Sequence, residues 1–302
     1  MLTVDADGHV LEPRNTWIEY LEPEFRDRAI RMDVDDDGNE VLLIDGKPLE
    51  SMRGRLASLG GIELDPAVAM AGAGTLRYED GAIEEARRVR DAGCRAVYLS
   101  PDMPARGGRP LDDPAFDRFW STMEDLDLPV GFHVVVRDRS QFANWMPGRG
   151  SGRELFGFAF LAIDVMAAFT QMLATGVFER HPRLRCTVLE SGATWISAWL
   201  DRMDHKYEVM STVTPTELKP SEYFYRQCLV SADPDETVIA PIVEAVGADY
   251  FVWASDYPHI GASFGVVGEI RDRIKTLPEG DQAKVLGLNA QRFYGLEVPS
   301  LV

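Results

Sequence analysis

The stretch Phe251-Val252-Trp253-Ala254-Ser255-Asp256-Tyr257-Pro258-His259 decides how this chain is read. Apolar and small residues run from Phe251 to Ser255 and end at a carboxylate. A short apolar run bounded by turn residues reads as a buried strand. Such strands belong to parallel sheets with helices on both faces. A carboxylate is almost never fully buried unless it is paired or binds a metal. On spacing alone Asp256 has two readings. It binds a cation at the strand's C-terminal mouth, or it caps the next helix and fixes the Tyr257-Pro258 turn.

A second polar group of this kind opens the chain, in Val4-Asp5-Ala6-Asp7-Gly8-His9-Val10. Alternation in an extended segment puts Asp5, Asp7 and His9 on one face. Asp7 and His9 are one residue apart, so both side chains reach a common ion. Carboxylate plus imidazole is a normal mixed set for zinc, manganese or iron. The competing reading is a polar first strand with a solvated histidine.

The 302 residues are 45% hydrophobic and 26% charged, which is a globular composition. The formal charge of −18 argues against nucleic acid or an anionic membrane as a partner. An anionic small-molecule substrate therefore needs local positive charge. Cys94, Cys186 and Cys228 lack metal-ligand spacing and read as reduced core residues of a cytoplasmic protein. No signal peptide is evident at the N-terminus. Leu155 to Leu173 is interrupted by Asp164 and Gln171, so it reads as a buried helix and not a membrane span.

From Asp80 onward, apolar strands and amphipathic helices alternate. Strands are expected over 94–100, 128–136, 184–189, 228–231 and 250–255. Helices are expected over 81–92, 113–125, 154–178, 194–209 and 235–246, with closing helices at 271–277, 282–286 and 289–294. Before them lie a short helix in 15–26, an acidic hairpin turning at Asp37-Gly38, and an irregular stretch that completes an insertion over 26–74. Arg53 and Arg55 in it are surface charges or anion contacts. Alternation with short connections is the pattern of a parallel α/β sheet. With no glycine-rich phosphate fingerprint in the first unit, a TIM-type (β/α) barrel over 1–302 is the expected architecture. In such barrels the chemistry sits at the C-terminal ends of strands. Asp7 and His9, His133, Glu190 and Asp256 stand at equivalent points of four strands. Each alone admits a packing explanation; together they point to one site.

At these residues the chain resembles the amidohydrolase superfamily, in the branch of aminocarboxymuconate-semialdehyde decarboxylase and the metal-dependent benzoate-type decarboxylases. The resemblance covers roughly residues 2–25 and 75–295. Its most specific pieces are VDADGHVLEP (4–13), LPVGFHVVV (128–136), HPRLRCTVLESGATWISAWLDRMD (181–204) and FVWASDYPH (251–259). The resemblance implies one divalent metal ion, zinc or else manganese or iron, held by Asp7, His9, His133 and Asp256. Many relatives carry His-x-His in the first strand, where this chain has Asp7-Gly8-His9. Many place a catalytic histidine where this chain has Glu190. The interval Leu64–Tyr78 is too short for two further βα units, though Gly72–Tyr78 suits one strand. Six or seven barrel strands are therefore expected where eight are usual.

The implied chemistry is decarboxylation of a small carboxylated aromatic or enol substrate, with Asp256 as the proton donor. Glu190 is assigned to orienting a water or moving a proton. His205, His259, Arg137, Arg139 and Trp145 are candidates for supporting positions. Two rival readings are hydrolysis or hydration by a metal-activated water and a non-catalytic barrel. If helix 154–178 is not covered within the chain, it forms a homodimer interface.

Overall fold

The computed structural model describes residues 1–9, 19–29, 31–34, 40–48, 80–101, 108–134, 153–257 and 265–297. A small antiparallel sheet comes first: β1 (Arg31–Val34), β2 (Glu40–Ile44) and β3 (Lys47–Pro48). β1 and β2 form the expected hairpin; its Asp37-Gly38 tip lies outside the described residues. A second Asp-Gly pair, Asp45-Gly46, joins β2 to β3 with φ of 55° and 71°. Two successive positive φ values are what a two-residue hairpin turn requires.

The larger sheet is parallel, in the order β4 (Val97–Leu99), β5 (Val130–Phe132), β6 (Cys186–Val188), β7 (Cys228–Ala232) and β8 (Phe251–Trp253). Parallel neighbours need crossovers. α1 (Asp80–Asp91) leads into β4, and the crossovers carry α2 (Asp117–Asp125), α3 (Arg153–Ala174), α4 (Val177–Arg180), α5 (Ile196–Met210), α6 (Pro220–Gln227) and α7 (Ile239–Val246). Beyond β8 come α8 (Val266–Ile274), α9 (Glu279–Ala283) and α10 (Asn289–Tyr294). Residues of β5 through β8 are buried throughout, as the unbroken apolar runs predict. Helix α6 is an addition to the expected order, and the long apolar stretch ends at Ala174 before the separate turn α4.

The core packs Trp120, Phe119, Phe132, Phe169, Phe178, Phe224 and Trp253 between sheet and helices. Burying each such ring contributes about 2–3 kcal/mol. Helix α3 turns the stripe Val165, Ala168, Phe169, Met172 and Leu173 inward, at the spacing of a single helical face. Among the described residues no helix is long and apolar enough to cross a membrane. Cys186 and Cys228 are buried as expected, but Cys94 is exposed: it follows α1 in a surface turn.

The first residues complete the sheet on the far side of β8. Ala6 N–H donates to the Trp253 carbonyl (3.1 Å), Asp256 N–H to that of Asp7 (3.0 Å), and His9 N–H to that of Tyr257 (2.8 Å). Among the described residues this extended segment lies beside a five-stranded sheet, β4–β8; the candidate strand at 72–78 lies outside them. On the opposite edge, Tyr98 of β4 faces Gly131 of β5. A Cβ on Gly131 would lie 2.5 Å from the Tyr98 ring. We predict that Gly131→Ala costs about 1–3 kcal/mol in thermal or urea unfolding; an unchanged midpoint would contradict this packing.

Candidate metal centre

Asp7 ends the extended entry segment and is 2% exposed. His9 follows it, and His133 stands just past β5. Glu190 and Asp256 leave β6 and β8 with φ of 46° and 52°. Left-handed backbone at a non-glycine residue costs about 1–2 kcal/mol. Both turns are held by neighbours. Asp5 accepts from the backbone N–H of Asp7 (3.2 Å) and of Ser255 (2.9 Å), and from the Ser255 hydroxyl. The Ser255 oxygen then accepts from Tyr257 N–H at 3.0 Å. The chain bends at Ala6-Asp7, so Asp5 points at Ser255 and does not share a face with Asp7 and His9, contrary to simple alternation.

The Glu190 turn has a comparable clamp. The Glu236 carboxylate accepts from Ala193 N–H (2.9 Å), Thr194 N–H (2.8 Å) and Asp233 N–H (3.0 Å). Gly192, with φ of 62°, makes room for it: a Cβ there would lie 2.8 Å from Glu236 Oε1. One half-buried carboxylate thus ties the loop after β6 to the loop after β7.

The four residues assigned as ligands converge. One ligand atom from each of Asp7, His9, His133 and Asp256 lies within 4.8 Å of every other. His9 Nε2 is 3.0 Å from Asp256 Oδ1 and 3.6 Å from Asp7 Oδ1. His133 Nε2 is 3.1 Å from Asp7 Oδ2 and 3.2 Å from Glu190 Oε2. His133 Nδ1 donates to the Val134 carbonyl, which leaves Nε2 as the inward-facing atom. The buried atoms Asp7 Oδ2, His133 Nε2 and Glu190 Oε2 form no hydrogen bond of regular geometry. Buried polar atoms without partners are costly. A cation held by Asp7, His9, His133 and Asp256 would satisfy the first two of these atoms, so the donors present fit a divalent ion.

The electrostatics agree. Burial pushes the Glu190 carboxyl up to about 8; His133 opposes the shift, while Asp256 and Asp7 add to it. Burial works to lower His133, but the Asp7 and Glu190 carboxylates overcome it and hold the ring up at about 9. Asp233, at the mouth of β7, is pushed up to about 7 by burial and by Glu236. Without a cation, the pocket holds more negative charge than its low-dielectric surroundings favour.

Of the other candidates, His205 is exposed on α5, away from this cluster. His259, Arg137, Arg139, Trp145, Arg53 and Arg55 lie outside the described residues. Three residues of the site were not singled out from the sequence: Tyr98, Asp233 and Glu236. Asp233 carried the signal that marks Asp256, an acid directly after an apolar strand. Tyr98 and Glu236 bond backbone groups of distant segments and leave no spacing pattern.

The amidohydrolase family model matches residues 54–296, so the chain belongs to the amidohydrolase family. A 2-amino-3-carboxymuconate-6-semialdehyde decarboxylase from Dictyostelium discoideum is 25% identical over 230 residues. That match takes in 74% of this chain and spans 59% of the relative's length. Among solved structures, an amidohydrolase from Mycobacterium avium subsp. paratuberculosis K-10 superposes with a TM-score of 0.77 over 98% of both chains, at 17% identity. The 5-carboxyvanillate decarboxylase of Sphingomonas paucimobilis matches with a TM-score of 0.61 and 26% identity, covering 76% of this chain and 68% of that one. The expected barrel-family fold is therefore found, in a form where the described strands do not close into a full circle.

The clamp on the Glu190 turn makes a prediction. Glu236→Ala leaves three N–H groups without their acceptor and lowers the unfolding free energy by about 2–3 kcal/mol. Urea denaturation checks it; a loss below about 0.5 kcal/mol would contradict the clamp.

Proposed function

We propose that this chain is a metal-dependent decarboxylase of a small carboxylated aromatic or enol substrate. The observation that carries the reading is the convergence of Asp7, His9, His133 and Asp256, with Glu190 against His133. Similarity to two carboxy-lyases, acting by their names on aminocarboxymuconate semialdehyde and 5-carboxyvanillate, supports the reaction class. The mixed nitrogen and oxygen donors suit zinc, manganese or iron. A divalent ion held by Asp7, His9, His133 and Asp256 would supply Lewis acidity toward a carboxylated substrate.

The protein's own groups then account for the proton. Asp256, oriented by His9 and by its left-handed backbone, delivers a proton to the ring carbon that bears the carboxylate. The carbon–carbon bond to the carboxylate breaks, carbon dioxide leaves, and the bonding pair returns to the ring. Asp256 is left as a carboxylate. Glu190, held at His133, relays a proton from water back to Asp256. The turns after β6 and β8 hold both acids still, so little reorganisation accompanies the transfer.

Hydrolysis would use the same residues, with Asp256 as base toward a water. The two are separated by following carbon dioxide release, and deuterium uptake at the ring carbon in heavy water, with 5-carboxyvanillate and related hydroxybenzoates. Decarboxylation predicts both signals. Oxygen-18 entering product from water without carbon dioxide release would overturn it. Asp256→Asn should lower turnover by about 100-fold or more while keeping its metal; wild-type turnover with metal bound would remove Asp256 from the role. The half-exposed face of α3 opposite its core stripe extends the proposal to a homodimer; a monomer in light scattering at micromolar concentration would refute that part.

A further inference from the structure

In a regular parallel ladder, a strand residue donates its N–H to one partner and accepts at its C=O from the partner two residues further on. Ala6 N–H donates to the Trp253 carbonyl at 3.1 Å, so the Ala6 carbonyl should accept from Ser255 N–H. It does not. Ser255 N–H donates to the Asp5 carboxylate (2.9 Å), and the Ala6 carbonyl accepts from the Tyr98 phenol (2.9 Å). Tyr98 belongs to β4, the strand at the opposite edge of the sheet. Among the described residues no strand lies between β4 and residues 4–9. Among the described residues, the Tyr98 phenol links the two.

The same side chain also supports a second proposed ligand. Its ring lies over Gly131, where only glycine leaves space, and stacks on the His133 imidazole at 6.1 Å between centroids and 23° between planes. Tyr98 thus touches the peptide that precedes Asp7 and the ring of His133. Asp7 Oδ2 and His133 Nε2 are 3.1 Å apart. The residue remains 51% exposed, so its burial alone does not account for its position.

We propose that Tyr98 is a positioning residue of the metal centre: its hydroxyl sets the Asp7 peptide and its ring sets the His133 imidazole. The hydroxyl takes over a link that sheet pairing would otherwise make. This rests on the metal reading of the four-residue cluster, and the test separates the two. Wild type, Tyr98→Phe and Tyr98→Leu are stripped of metal and titrated with cobalt(II), following the visible absorption of the bound ion and competing with a chelator of known affinity. Thermal unfolding of the metal-free proteins is measured alongside. Tyr98→Phe keeps the ring and loses only the hydrogen bond. It should bind cobalt about tenfold more weakly, the worth of one such bond, with a changed absorption band and a metal-free midpoint lowered by no more than about 2–4 °C. Tyr98→Leu should weaken binding further. Wild-type affinity and spectrum in both variants would overturn the inference. So would a lowered metal-free midpoint in Tyr98→Phe with unaltered cobalt binding, because Tyr98 would then be structural only. Failure of wild type itself to bind cobalt would overturn the metal reading, and this inference with it.

Discussion

The join between residues 4–9 and β8 is the constraint on which the site depends. Two ligand candidates, Asp7 and His9, come from the first residues of the chain, and Asp256 comes from some 250 positions later. Backbone hydrogen bonds from Ala6, His9 and Asp256 bring the two stretches into register, and the Asp5 carboxylate locks the Ser255 turn between them. Bringing distant segments together costs loop-closure entropy that rises only slowly with length. The regular βα units between them carry that cost through their own core. A slip of this join by one residue would turn Asp7 away from the pocket, since side-chain direction alternates along an extended segment.

The site is built against the preferences of its parts. Glu190 and Asp256 hold left-handed backbone, and carboxylates crowd two imidazoles in a mostly buried pocket. Such arrangements persist where the surroundings over-determine them. Here Glu236 and Asp5 do so, each a carboxylate accepting several backbone N–H groups beside one of the two turns. Strain, unsatisfied buried atoms and excess negative charge all fall at one mouth. A cation relieves the last two, which is why the protein chemistry and the family relationship point the same way.

Much of this was legible in the sequence, because apolar strands ending in a polar residue mark the mouth of a parallel sheet directly. His133, Glu190 and Asp256 were found by that pattern, and β5 through β8 fell where the apolar runs put them. The N-terminal segment was harder. Alternation implied one face for Asp5, Asp7 and His9, but a bend at Ala6-Asp7 turns Asp5 to a different task. Helix α6, with Tyr223 and Phe224 buried, lies in a stretch of mixed polar and aromatic residues whose helical period is short. Tyr98 and Glu236 could not be found from spacing, because both act by bonding backbone groups of distant loops. Those contacts exist only once the fold has brought the loops together.

The proposed metal centre stands on whether the four converging side chains hold one divalent ion. The decisive measurement is elemental analysis of the protein purified without chelators, beside an Asp7→Ala, His133→Ala double variant of intact secondary structure. About one metal ion per chain is expected in wild type and almost none in the double variant, given the loss of two of four ligands. No metal in the wild type, or equal metal in both proteins, would contradict it.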